Sequence, residues 1–245
     1  MEDFFRNFSN IGTLATDAIM RIIPALICIT VHELAHGFTA YKLGDTTAKD
    51  MGRLTLNPIR HIDPLGLLMM LIVRFGWAKP VPVNMYNFKH PKWYMAITAI
   101  AGPVSNILLA IIFMFIMGLV ITPLGGSVVY YHGMPFPDFE TAGAGEIIYR
   151  ILEFAMFLNL ALAVFNMLPI PPLDGSKVLA AFLPDKIYIK WIRLERYGMV
   201  VILALMAMQL FLGVAIFSGF IIHSALSIRN GLNVFFEFGY MLING

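Results

Sequence analysis

His32, Glu33 and His36, in the run HELAH, carry the most specific chemistry in this chain of 245 residues. On a helix, positions four apart share a face, so the two imidazoles can reach one zinc ion, and Glu33 stands beside them to activate a water at the metal. With the histidine and glutamate content of this chain, accidental HExxH runs would number roughly 0.004. The competing reading is a pair of histidines that satisfy each other between packed helices. That reading leaves Glu33 without a task.

Catalytic zinc usually takes three protein ligands and keeps one position for water, so a third ligand must come from elsewhere. Asp174, in FNMLPIPPLDG at 165–175, is the first candidate. Pro169, Pro171 and Pro172 cannot continue a regular helix. Unwound backbone at membrane depth is tolerated only inside protein or along a cavity, so a broken stretch ending in a carboxylate reads as the wall of a site. Gly175 allows close backbone approach beside it. Asp174 also fits the N-cap of a helix over Val178 to Phe182. A rival ligand is His61 in LNPIRHIDPLG, with Asp63 two residues on, although the flanking Pro58 and Pro64 suit a loop-organising or substrate-side role. His90, His132 and His223 read as loop or packing histidines. Cys28, a lone cysteine, excludes an intrachain disulfide and reads as a small packing residue.

The elements that must position these residues are membrane spans. Hydrophobic residues make up 59% of the chain and charged residues 13%, mean hydropathy is +0.77, and soluble domains hold nearer 45–50% and about 25%. Four stretches reach the roughly 20 apolar residues that a span needs, at about 17–42, 94–122, 147–169 and 198–227. A shorter one, about 65–75, suits a re-entrant segment or a tilted fifth span. Residues 232–245 read as an interfacial tail. The expected fold is an all-α polytopic membrane protein forming one domain over 1–245, with its core at 17–180 and an added span and tail at 198–245. Ionisable residues inside a span are costly, so HELAH within 22–43 is a functional-site hypothesis by position as well as by motif.

The formal net charge of +2 gives no case for nucleic acid. Residues 1–10 are acidic and aromatic, and lack the basic start and cleavage site of a secretory signal. Eight Lys and Arg separate the first two spans (Lys42, Lys49, Arg53, Arg60, Arg74, Lys79, Lys89 and Lys92), only Arg150 the next two, and five the last two (Lys177, Lys186, Lys190, Arg193 and Arg196). The positive-inside rule then places the first and third connections in the cytoplasm and the N-terminus outside. His32 and His36 fall in the cytoplasmic half of the first span. The third span runs the same way, which brings Asp174 to a similar depth.

HELAHG at 32–37 together with NMLPIPPLDG at 166–175 resembles the two signature motifs of the site-2 protease family of intramembrane zinc metalloproteases. GRLTLNPIRHIDPLG at 52–66, GWAKPVPVN at 76–84 and AGPVSN at 101–106 resemble the compact branch that lacks PDZ and CBS domains. The resemblance implies one zinc per chain held by His32, His36 and Asp174, with Glu33 as general base. It implies further that Asn166 holds the substrate backbone or the oxyanion, and it marks Asn106 as a second substrate-side residue. Both asparagines also have structural readings: Asn166 can satisfy backbone freed at the proline break, and Gly102 with Ser105 can make AGPVSN a helix-packing motif. Trp77 to Val83 resembles the family's small membrane-associated β-loop, a sheet edge able to pair with an unfolded substrate.

The implied activity is hydrolysis of transmembrane or membrane-associated peptides at a cell membrane, by a multi-pass protein that could form homo-oligomers. Three alternatives compete. A metal-stabilised scaffold would not need Glu33, and a CAAX-type membrane protease would draw its third ligand from a glutamate such as Glu153, toward the other face of the membrane. A transporter would show a second set of broken, charged spans.

Overall fold

The computed structural model describes residues 14–66, 68, 77–131, 134–140, 143–212 and 216–245. It is mostly helical. The long helices are α1 (Leu14–Lys42), α3 (Pro91–Val120), α4 (Ala144–Asn166) and α6 (Asp185–Leu212). Shorter ones are α2 (Thr47–Asp50), α5 (Asp174–Ala181), α7 (Ile216–Gly231) and α8 (Asn233–Asn244).

Among the described residues, three helices are long and apolar enough to cross a membrane: Met20–Lys42 of α1, α3 and α4. The fourth expected span, 198–227, includes residues 213–215, which lie outside the described residues; the described parts on both sides, in α6 and α7, are helical. α6 starts at Asp185, and its first turns carry the charged sequence DKIYIKWIRLER, so the helix as built is less apolar than the stretch read from hydropathy. The apolar segment 65–75 lies largely outside the described residues.

α3 is the central helix, packed against α1, α4, α5 and α8. The expected interfacial tail forms α8 and joins that core, with Phe236 buried beside Met114, Met117, Tyr149 and Leu160. Two glycines allow the contact: a Cβ on Gly118 would strike the Phe236 carbonyl, and one on Gly239 the Phe115 carbonyl. Small residues bring helix backbones close where lipid supplies no hydrophobic drive between them.

A small two-stranded antiparallel sheet is present, but in the loop between α3 and α4. Its strands are β1 (Gly126–Tyr131) and β2 (Met134–Phe139). At 77–83, where the β-loop was expected, the described chain makes one antiparallel bridge, Ile62 to Ala78. Pro80 and Pro82 lack the N–H groups that a longer ladder requires. α4 stops at Asn166 and α5 begins at Asp174, so the proline-rich stretch breaks the helix as its composition implies.

Candidate metal centre

α1 is helical through HELAH, which stacks His32 and His36 on one face with their rings edge-on, centroids 4.6 Å apart. α5 brings Asp174 to them from far along the chain. Oδ2 of Asp174 lies 3.2 Å from Nε2 of His32 and 3.1 Å from Nε2 of His36, and the two imidazole nitrogens are 3.0 Å apart. All three residues are buried. Among the described residues they are the group whose donor atoms could hold a metal ion.

Whether a cation fits can be decided from proton bookkeeping. Nδ1 of His36 lies 2.7 Å from the Thr98 carbonyl oxygen, which can only accept, so Nδ1 carries the hydrogen. In the neutral ring, Nε2 then presents a lone pair. An ionised Asp174 presents lone pairs too, so these atoms face each other as acceptors and need a positive charge between them. Three donors on a tetrahedral zinc at about 2.0–2.1 Å would lie about 3.3 Å apart, close to the observed triangle. The Thr98 carbonyl is the kind of outer partner that fixes a ligating histidine's tautomer.

Asp174 is held as an anion. Burial by itself raises a carboxyl pKa, but the positive charge that the triangle calls for and the Lys177 ammonium both favour the ionised form. Lys177, one turn on, places Nζ 3.7 Å from Oδ1, which leaves Oδ2 for the imidazoles. The N-cap of α5 is Leu173, without a side-chain capping bond, so the Asp174 carboxylate is turned to the histidines and not to its own helix end. Gly175 permits this placement, because a Cβ there would strike the Met167 carbonyl.

Glu33, beside His32, accepts a hydrogen bond at Oε2 from the backbone N–H of Val81 at 2.8 Å. Asn166 is the last residue of α4; its Nδ2 donates to the Leu162 carbonyl at 3.0 Å, and it stands outside the donor triangle. Asn106 is fully buried on α3, one turn beyond Gly102, with neither amide atom hydrogen-bonded among the described residues. His61 is buried elsewhere: its Nε2 donates to the Thr55 carbonyl at 2.9 Å, and it is not in the triangle. Asp63 accepts from the amides of Leu65 and Gly66, a loop-organising role. Glu153 pairs with Arg150 at 3.2 Å on α4. His90 stacks edge-on against Tyr94, and His132 lies outside the described residues.

Sequence reasoning missed three supports: the Thr98 carbonyl, the Val81 amide and the space at Gly102. Backbone donors and acceptors carry no residue signature, although Gly102 sits in a motif singled out for close packing. A methyl at Gly102 would overlap Nε2 of His36 and Cε1 of His32. Gly102→Ala is therefore expected to lower zinc content and activity together, measured by elemental analysis and by cleavage; retention of both would mean that α3 does not bound the centre.

The sequence profile of peptidase family M50 matches residues 20–212. YwhC of Bacillus subtilis (strain 168), named as a zinc metalloprotease, is 41% identical over 184 residues, which is 75% of this chain and 78% of the relative. Rip2 of Mycolicibacterium smegmatis, named likewise, is 28% identical over 83% of this chain and 71% of its own length. MJ0611 of Methanocaldococcus jannaschii, also so named, is 36% identical over 47% of this chain and 49% of its own. No solved structure matches the chain.

Proposed function

Because the chain belongs to peptidase family M50, the zinc metalloproteases, we propose that it cleaves peptide bonds of transmembrane or membrane-associated substrates at one zinc held by His32, His36 and Asp174. The observation that carries this reading is the meeting of two imidazole nitrogens and a carboxylate oxygen, all on buried residues of α1 and α5, at 3.0–3.2 Å. The bound ion would supply Lewis acidity toward the scissile carbonyl and lower the pKa of water at the site.

The rest is the work of the chain's own side chains. Glu33 takes the proton of the attacking water and passes it to the leaving amine nitrogen. Asn166, at the broken end of α4, offers a neutral amide that can bond an extended substrate backbone or the oxygen that gains charge, without adding net charge to the site. Asn106 is buried, so it acts on the substrate side through a water that its unpaired amide can hold. A substrate helix hides its carbonyls in hydrogen bonds and must be locally extended before attack.

The three apolar helices support a membrane location. In the proposed topology the N-terminus is outside, the centre lies toward the cytoplasmic half, and 198–227 supplies a fourth crossing. The reading is tested by comparing membrane proteomes of cells that express the intact chain or Glu33→Gln. New termini within or next to apolar segments, found only with the intact chain, are the expected result. Identical termini in both would contradict it.

A further inference from the structure

Arg53 stands in the connection after α2, 6% exposed, and among the described residues no carboxylate pairs with it. A buried cation without a counter-charge is costly, so its surroundings must supply one or spread it over dipoles. Its Nη2 donates to the carbonyl oxygens of Lys79 at 2.8 Å and of Pro80 at 3.3 Å. The Pro80 carbonyl belongs to the same peptide group as the Val81 N–H, and that N–H donates to Glu33 at 2.8 Å. A trans peptide is planar, with its C=O and N–H pointing opposite ways. One peptide therefore bridges a buried cation and the carboxylate beside the metal ligands.

We propose that Arg53 is a positioning residue for Glu33 and acts through the Pro80–Val81 peptide; the inference rests on Glu33 being the general base. Donation to the carbonyl polarises the peptide and strengthens its N–H bond to the carboxylate. With Oε2 held, the carboxylate cannot turn freely, and Oε1 remains the oxygen that takes the proton. The local sequence KPVPVN serves this purpose. Lys79 and Val81 each precede a proline, which biases both to extended backbone, and Pro80 and Pro82 contribute no donors that could compete for Glu33.

The segment is tied at both ends. The Lys79 N–H donates to the backbone carbonyl of residue 61 at 2.9 Å. Asp45, fully buried, accepts from the Asn84 N–H and from Asn87 Nδ2, each at 2.7 Å, as well as from Thr47. Burial alone would raise the Asp45 pKa, but these bonds outweigh it and lower the carboxyl, so the tie is anionic at neutral pH. The Val81 side chain is itself buried. A segment so anchored, whose N–H groups at Lys79, Val81 and Asn84 are all taken, suits aiming Glu33 better than adding a strand to a substrate.

The test uses the purified full chain and a quenched-fluorescence peptide carrying an apolar segment of helix length. Three variants are compared: Arg53→Met, replacement of Val81 by its α-hydroxy acid analogue, which deletes only the N–H, and Val81→Ala, which keeps it. The first two are expected to lower kcat about tenfold or more, with KM and zinc content unchanged, and Val81→Ala, which keeps the N–H, is expected to lose less than the α-hydroxy acid analogue. Combined, the first two should do no more harm than the worse of them alone, because they cut one line. Unchanged kcat in either, a raised KM, or loss of zinc would overturn the proposal, since a mere loop support would disturb binding or fold. Glu33→Gln, measured alongside, separates the failures: if it stays active, the base assignment itself falls, whereas an inactive Glu33→Gln with an active Arg53→Met removes only the positioning role.

Discussion

Glu33→Gln is expected to lower the cleavage rate by about 10²–10⁴-fold, the range contributed by a positioned general base, while zinc stays at one per chain. Glutamine keeps the shape of glutamate and can still accept the Val81 N–H through its side-chain oxygen, so the Pro80–Val81 segment keeps its anchor. It cannot take a proton at neutral pH. The proposed ligand set of His32, His36 and Asp174 does not include Glu33, so this substitution takes no donor atom from the metal. Elemental analysis beside a cleavage assay reads both quantities. Full activity would end the role assigned to Glu33, and loss of zinc would make it a ligand or a fold determinant.

Asp174→Ala is expected to bring zinc well below one per chain and to abolish cleavage with it. The two histidines remain on α1, with His36 still tied to the Thr98 carbonyl, but two imidazoles alone leave the ion without the carboxylate charge. Loss of an outer-shell partner already costs roughly 10–100-fold in metal affinity, and loss of a direct ligand should cost more. His61 offers no substitute, because it is bonded to Thr55 in another part of the fold. Zinc retained at one per chain in this variant would remove Asp174 from the ligand set.

The site was legible where side-chain chemistry and periodicity coincide. The spacing of His32 and His36 specifies a shared helix face, and the structure puts both on one face of α1. The prolines at 169, 171 and 172 announce a break, and the break delivers Asp174 to that face. The supports were not legible because they are backbone atoms: nothing in the residue types of Thr98 or Val81 says that a carbonyl meets His36 or an amide meets Glu33. By sequence Arg53 is one of eight basic residues in a connection, and residue types do not tell that it is buried against the Lys79 carbonyl.

The fold was legible at the level of long apolar helices and less so at their ends. Hydropathy averages over a window, so 198–227 reads as one apolar stretch without showing that the helix over its first half, α6, starts as far back as the charged turns at Asp185. The strands at 126–139 escaped notice because Pro135 and Pro137 lie in β2, and proline in a strand is tolerated mainly at an edge, which a two-stranded sheet supplies. The tail was read as interfacial from its mixed composition. Its packing on α3 depends on Gly118 and Gly239, whose meaning appears only when the two helices cross.

The most direct test of the central claim, that α1 and α5 close on a single ion, is zinc X-ray absorption spectroscopy of the purified chain. One zinc per chain is expected, with two imidazole nitrogens and a carboxylate oxygen at about 2.0–2.2 Å. A chain purified with no zinc and unable to bind it when added, or a zinc with sulfur or more than two imidazoles around it, would contradict the account.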